Sequence, residues 1–457
     1  METERLYELY QSSAGITTDS RSVAKGEIFF ALKGPSHDGN TYAAAAVAAG
    51  EKASVVDDRS LSGKQLILVD DVLEALTSLA AFHRRRLMVP VIAITGTNGK
   101  TTTKELITAV LSRKAKVHST AGNLNNHIGV PLTLLSAPDD AGFMVVEMGA
   151  SHLGEIAALC ETAMPTHGII TNIGAAHIEG FGSYENVKEA KSELYRWLGN
   201  IGGTVIYNDD NPVLSELAHL ARRTVPYSSP EGHQLTVLPE SHQLSALPEG
   251  HQLSDVPKGY QPSALPEEKE SICLNINAVV DGREYSFATG LFGSYNIDNI
   301  RAAMVTGLIF DVPVSEIIDA ISSYRPANNR SQVVDTGRNT VIRDAYNANP
   351  SSMEKALASF AALRSEKKMV ILGDMLELGS VSATGHASVV SQVMSLGAAS
   401  VALIGPRFRE AAGDMPARLF GSSDEAAEWL RTERPEGYTI LVKGSRGMML
   451  EKVYPLL

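Results

Sequence analysis

The apolar run Val89-Pro-Val-Ile-Ala-Ile-Thr95 leads without a break into Gly96-Thr97-Asn98-Gly99-Lys100-Thr101-Thr102. A continuous β-rich run without polar alternation suits a strand buried on both faces of a parallel sheet. The amphipathic stretch after Thr102 predicts a helix, so the glycines occupy a strand-to-helix turn. Such a turn can cradle a phosphate chain. Glycines let backbone N–H groups approach closely, a helix start adds its dipole, a lysine supplies charge and a hydroxyl can reach Mg²⁺. All four are present in that order, although only two residues separate Gly96 from Gly99, unlike the common GxxxxGK[ST] spacing.

Short apolar runs recur at 143–147, 168–173 and 204–207 with helical stretches between them, the pattern of a doubly wound sheet. Ahead of them lies a smaller α/β pattern. It has strands at 27–32, 53–56 and 66–69, a turn at 33–39, an alanine-rich helix at 42–49 ended by Gly50, and a helix running into 84–86. Beyond them, Asp281-Gly282 between 272–279 and 283–288 signals a hairpin, and a helix follows over about 296–310. The alternation then resumes, with strands at 369–372, 401–404 and 439–442 and helices near 351–364, 384–396 and 424–431. With roughly 150 residues per domain, the 457 residues predict three α/β domains. These are a small α/β domain (1–88), a central P-loop domain with a mostly parallel doubly wound sheet (89–324) and a C-terminal Rossmann-like α/β domain (325–457).

A nonapeptide repeat interrupts the middle region. Pro230, Pro239, Pro248, Pro257 and Pro266 are evenly spaced, in units such as PEGHQLTVL and PESHQLSAL. Proline at that period blocks a continuous helix or a central strand, so 230–266 is expected to be an exposed insertion that the fold tolerates. His233, His242 and His251 recur within it without carboxylates at ligand spacing, which gives a metal role no support.

Around the phosphate loop, the run ending at Glu147 delivers a carboxylate to the sheet edge where ligands bind in such folds. The run ending Thr171-Asn-Ile-Gly174 puts His177 on a loop at the same edge. Here the sequence resembles the Mur ligase family, the ATP-dependent amide-forming enzymes of peptidoglycan assembly. The resemblance rests on TGTNGKTTT, the Glu147 run, NIGAAHIEGFGS (172–183) and Ala190-Lys191-Ser-Glu193, in that order. It implies ATP held by Gly96, Thr97, Asn98, Gly99, Lys100, Thr101 and Thr102. It also implies Mg²⁺ held by Thr101, Glu147, His177 and Lys191, the lysine being carbamylated; the residues alone would make Lys191 an ordinary solvated helix position. Asn296 and Asn299 resemble the adenine-contacting pair, with Tyr295 where the family usually has His; plain helix capping is the alternative. Arg330 and Asp344 are similar to residues that bridge the last domain to the nucleotide.

Further segments extend the resemblance over nearly the whole chain outside the repeat. Ser20-Arg21, Gly34 and His37-Asp38-Gly39 are similar to the domain that holds a uridine nucleotide, where an arginine fork suits a diphosphate. The loop 120–131, with Asn123 and Asn126, resembles the one beside the γ-phosphate and the acyl phosphate; a capped turn is the alternative. Tyr346, Asn347 and Asn349, the segment 373–379 with His386, and Lys443, Ser445 and Arg446 match the branch of the family that adds D-alanyl-D-alanine. The diaminopimelate-adding branch carries DNPR in its last domain. Here Asp210-Asn-Pro212 is followed by Val213 and lies in the middle one. The implied substrates are therefore UDP-N-acetylmuramoyl-tripeptide, on the first domain, and D-Ala-D-Ala, on the third. Lys100, Lys191, His177, Asn126 and Arg330 are the implied catalytic set.

Composition narrows the class. The net charge of −12 argues against general nucleic-acid binding. No apolar stretch is long enough to span a membrane, and the charged N-terminus does not read as a secretory signal. Two cysteines, Cys160 and Cys273, without CxxC spacing, give neither a disulfide framework nor a zinc site. A cytoplasmic monomer without nucleic-acid or membrane partners is the expectation. Folylpolyglutamate synthase shares the phosphate loop, but its loop typically lies near the N-terminus, whereas 88 residues precede it here. A GTPase-type switch lacks its N-K-x-D motif, since Asn186-Val-Lys-Glu189 fails the pattern.

Overall fold

The computed structural model describes residues 3–21, 24–174, 178–239 and 272–457. His177, and the repeat beyond Pro239 with His242 and His251, lie outside the described residues.

The central sheet has six parallel strands in the order Arg223–Pro226, Thr204–Tyr207, His167–Ile170, Val91–Thr95, Phe143–Glu147, Val117–Ser119. Every residue of Val91–Thr95 and Phe143–Glu147 is buried, which explains why these runs show no polar alternation. The chain leaves Val91–Thr95 toward one side of the sheet and returns later to its other side at His167–Ile170. Strand order thus reverses beside Val91–Thr95, and the crevice at its carboxyl end is where open α/β sheets bind ligands.

A four-stranded parallel sheet, Ile16–Thr17, Ile28–Phe30, Ala53–Val56 and Leu66–Leu68, forms the N-terminal unit. Arg84, buried at the end of the helix Val72–Arg84, ties this unit to the central one. Its guanidinium donates to the carbonyls of Ala163 (2.8 Å) and Met164 (3.1 Å), and to those of Leu87 and Val89. A buried guanidinium satisfied by carbonyls alone fixes direction as well as distance.

The third sheet has nine strands. Its C-terminal part, Arg418–Phe420, Ser400–Ile404, Lys368–Gly373, Thr439–Lys443 and Thr340–Asp344, is parallel, and Gln332–Asp335 adds an antiparallel strand. The hairpin Cys273–Val280 with Arg283–Phe292 turns at Asp281 (φ 52°) and Gly282 (φ 77°). This left-handed pair matches strand twist. The hairpin meets the C-terminal strands through one pairing, Leu291 with Gln332.

The expectation for 230–266 needs correction at its start. Leu235–Pro239 is a strand paired antiparallel with Cys273–Val280, with Leu235 and Val237 only 2% and 4% exposed. The prolines do not prevent this. Pro230 precedes the strand and Pro239 ends it on the edge of the sheet, where a missing N–H costs no central ladder bond. The first repeat unit therefore belongs to the core.

Candidate active site

Two glycines shape the phosphate loop. Gly96 has φ 138°, and a Cβ there would stand 2.0 Å from the Thr171 hydroxyl oxygen; Gly99 has φ 83°, and its Cβ would stand 2.6 Å from Asn299 Oδ1. No L side chain fits either position. Around them, Asn98 N–H donates to Asn172 Oδ1 (3.0 Å), while Thr171 and Asn172 side chains donate to the Asn98 carbonyl (2.6 and 2.9 Å). The helix Lys100–Leu111 starts directly behind the loop. Lys100 Nζ donates to the carbonyls of Gly96 (2.8 Å) and Thr97 (3.1 Å). Burial lowers its pKa, with Arg330 adding to that effect and Glu147 opposing it.

Glu147 ends its strand inside the protein, 2% exposed. Thr101 donates to its Oε2 (2.8 Å) and Asn125 Nδ2 to its Oε1 (2.8 Å), while its N–H donates to the Thr120 hydroxyl (3.0 Å). Buried Lys104 holds the same loop by donating to the Thr120 carbonyl (2.7 Å). Lys191 is not solvated; it is 3% exposed within Tyr184–Ile201, and burial pushes its ammonium down to about 7. Its neighbour Glu193 accepts from the Gly154 and Ala157 N–H groups (2.7 and 2.9 Å), capping Glu155–Ala163.

Asn296 precedes the helix Ile297–Ile309, yet its side chain makes no capping bond. Asn299 Nδ2 donates to Asn296 Oδ1 (2.8 Å), Asn296 Nδ2 to the Phe292 carbonyl (2.7 Å), and the Thr103 hydroxyl to Asn299 Oδ1 (3.0 Å). This buried ladder replaces the capping alternative. Asn126, by contrast, does form a capped turn, its Oδ1 accepting from Ile128 and Gly129 (3.1 and 2.9 Å).

The third domain reaches the same place. A cavity of about 760 Å³ is lined by Thr97, Asn98, Gly99, Lys100, Thr102, Asn123, Asn126, Glu147, Asn296, Asn299, Arg330, Asp344, Tyr346, Asn347, Lys443 and Arg446. Asn349 is just behind it. It caps Pro350–Ala362 through a capping box, and its Nδ2 donates to Asn98 Oδ1 on the phosphate loop (2.8 Å). Asp344 accepts from Lys443 Nζ (2.6 Å) and from the Ser331 N–H (3.0 Å), so it fixes a lysine and the interdomain segment, and each oxygen keeps a lone pair on the cavity it lines. Ser445 accepts from the Leu376 N–H (2.9 Å), and the Met375 N–H donates to His386 Nε2 (3.0 Å), which sets the loop after Lys368–Gly373.

The N-terminal candidates do not line this cavity. Exposed Arg21 pairs with Asp19 (2.9 Å), and Ser20 precedes it. Gly34 and His37 face each other in a two-stranded turn, Asp38 Oδ1 accepts from Asn40, and Gly39 lies against Ala31 and Leu32. Residues that sequence reasoning did not single out include Asn125, Asn172, Thr120, Lys104 and Ser331. Asn125 and Thr120 lie in the loop 120–131 and Asn172 in 172–183, so the signal was a polar loop at a strand end without an indication of which side chain turns inward.

Family models match along the chain: "Mur ligase family, catalytic domain" over 13–84, "Mur ligase middle domain" over 94–307 and "Mur ligase, glutamate ligase domain" over 329–446. The UDP-N-acetylmuramoyl-tripeptide–D-alanyl-D-alanine ligase of Bacillus subtilis is 32% identical over 96% of this chain and 92% of its own length. The chain belongs to the Mur ligase family. Among solved structures, this Mur ligase is similar to MurF from Acinetobacter baumannii, with 28% identity, a TM-score of 0.81, and 98% and 97% of the two chains covered. It also shares its fold with the MurF ligase of Thermotoga maritima in complex with ADP, at 24% identity and a TM-score of 0.81, over 98% and 97% of the chains. Among the described residues, no helix of this Mur ligase is long and apolar enough to cross a membrane.

Proposed function

We propose that this Mur ligase joins D-alanyl-D-alanine to the terminal carboxylate of UDP-N-acetylmuramoyl-tripeptide, consuming ATP and releasing ADP and phosphate. The observation that carries this reading is the single cavity in which the phosphate loop meets Tyr346, Lys443 and Arg446 from the third domain. A carboxylate is a poor electrophile at neutral pH. Its oxygen attacks the γ-phosphorus of ATP, ADP leaves, and the resulting acyl phosphate carries a good leaving group. The dipeptide amine then attacks the acyl carbon, loses a proton, and inorganic phosphate departs.

Both steps bring like charges together, so the protein's contribution is positioning and cationic stabilisation. The Gly96–Thr102 loop holds the β- and γ-phosphates with backbone N–H groups, and Lys100 adds charge there. Asn296 and Asn299 face the base, and Arg330 faces the phosphates from the interdomain segment. Asp344, held by Lys443 and Ser331, faces the nucleotide from the third domain. Asn123 and Asn126 stand beside the transferred phosphoryl group, with Asn347, Asn349, Lys443, Ser445 and Arg446 around the incoming dipeptide. Ser20, Arg21, Gly34, His37, Asp38 and Gly39 hold the uridine nucleotide in a separate place. We take the three domains as 1–88, 89–324 and 325–457, and the enzyme as a cytoplasmic monomer.

The residues fit Mg²⁺. A buried carboxylate and a hydroxyl 2.8 Å apart, Glu147 and Thr101, form a hard oxygen donor set. Together with His177 and carbamylated Lys191 they would hold the ion, which when bound neutralises charge on the phosphates. Burial favours the neutral Lys191 amine, the form able to add CO₂.

The test is phosphate release with ATP, the muramoyl tripeptide and D-Ala-D-Ala, omitting each in turn. Phosphate release sustained only when all three are present is expected. Release driven instead by a folate and glutamate would overturn the reading.

A further inference from the structure

Two arginines that come from opposite ends of the third domain approach the ring of Tyr346. The Arg330 guanidinium carbon is 3.8 Å from the centroid of the Tyr346 ring, and that of Arg446 is 5.5 Å from it. Arg330 belongs to the segment that enters the third domain, and Arg446 to the turn after the strand Thr439–Lys443. All three residues line the same cavity, and Arg330 is near enough to Lys100 on the phosphate loop for their charges to interact. Arg330 Nε is buried with no hydrogen-bond partner, so the ring face, rather than a hydrogen bond at that nitrogen, fixes this part of the side chain.

Two guanidiniums beside one another repel. An aromatic ring offers each of them an attractive face or edge while keeping them apart. Arginine is also suited to stacking because its charge is spread over a plane. Tyr346 is itself held, since it follows Asp344, which is bonded to Lys443 and Ser331, and precedes the Asn349 cap.

We propose that Tyr346 is a positioning residue for amide formation, its ring holding a cation for the phosphoryl group and a cation for the dipeptide carboxylate at a fixed spacing. This rests on the ligase reading above. In that reaction two anionic partners, the acyl phosphate and the dipeptide with its free carboxylate, must approach within bonding distance. Arg330 and Arg446 would each take one, and the ring sets the distance between them. The role belongs to the ring, not to the phenol oxygen.

The experiment compares the wild type with Tyr346→Leu and Tyr346→Phe, using ATP, the muramoyl tripeptide and D-Ala-D-Ala, with melting temperature followed alongside. Tyr346→Leu is expected to raise KM for both ATP and the dipeptide, each about 5-fold to 20-fold, the range expected for losing such contacts at a partly desolvated site. Tyr346→Phe is expected to recover most of that loss. Arg446→Gln should raise KM for the dipeptide but not for ATP. Unchanged KM values in a folded Tyr346→Leu protein would overturn the proposal. So would a Phe variant as impaired as Leu, which would assign the effect to the hydroxyl. Should Tyr346→Leu fail to fold, Arg446→Gln together with Tyr346→Phe still decides: parallel rises in both KM values for Arg446→Gln, or any comparable rise for Tyr346→Phe, would sink the idea. A wild type that does not turn over these substrates would instead refute the ligase reading.

Discussion

At the scale of single residues, burial in this protein decides which polar groups carry charge. Lys191 sits in a helix whose pattern alone would have left it in water, yet packing makes it 3% exposed and lowers its pKa to about 7. His167 shows the same physics away from the site. It opens the strand His167–Ile170, bonds Thr166 through Nδ1 (2.9 Å) and packs on the Phe310 ring at 4.9 Å. Burial, helped by Arg223, pushes its pKa down from 6.5 to about 4. Between these values the unfolded chain binds a proton that the folded chain refuses. The His167 contribution is therefore intact above about pH 6.5 and is lost as pH falls toward about 4. At roughly 1.4 kcal/mol per pH unit between the two values, the full loss is about 3–4 kcal/mol. Urea midpoints at about pH 4.5 and about pH 7 should differ less in His167→Gln than in the wild type, and equal differences would contradict this account.

At the scale of elements, turn chemistry and strand burial account for most boundaries. The Asp281-Gly282 turn, the apolar runs of the central sheet and the Asn349 cap each follow from local residues. The strand Leu235–Pro239 does not, because its reason to exist is the partner strand Cys273–Val280. Its removal should be costly where removal of the following repeats is not. Pro239 pairs with Ile276, so the nine residues that a deletion of 240–266 leaves between them need only join two paired strands. That deletion is expected to leave melting temperature and ligase activity close to those of the full chain. Deleting 230–266 instead removes buried Leu235 and Val237 and should cost at least ~2 kcal/mol, read as a lower urea midpoint. Equal stability of the two deletions would show that the edge strand contributes little.

At the scale of the whole molecule, the three domains are joined in different ways. The N-terminal unit is fixed by the buried Arg84 and by Tyr10, whose hydroxyl donates to the Leu135 carbonyl (2.6 Å). The C-terminal unit meets the centre through few polar contacts. Among the described residues these include Asn349 with Asn98, Asn328 with Glu105, and Ser331 with Tyr295 and Asn296, alongside a segment where Asn329 (φ 56°) and Ser331 (φ 53°) adopt left-handed backbone. Such a joint suits closure that shuts water away from an acyl phosphate. Small-angle scattering should give a smaller radius of gyration with an ATP analogue and both substrates than without them. Identical profiles would argue for a rigid molecule.

The amino-acid sequence alone determined the α/β alternation, the hairpin turn and the glycine loop, because side-chain periodicity and turn chemistry act over a few residues. It also marked Lys100, Thr101 and Glu147, since each stands where a buried strand must end or a helix must begin. Only the tertiary structure decided that Asp344 would bond Lys443 and Ser331, that Asn349 would reach Asn98, and that Arg330 and Arg446 would both approach the Tyr346 ring. The partners in such contacts are far apart along the chain or brought together from separate strand ends. Sheet order and the angle between domains choose among them, and no local pattern encodes either.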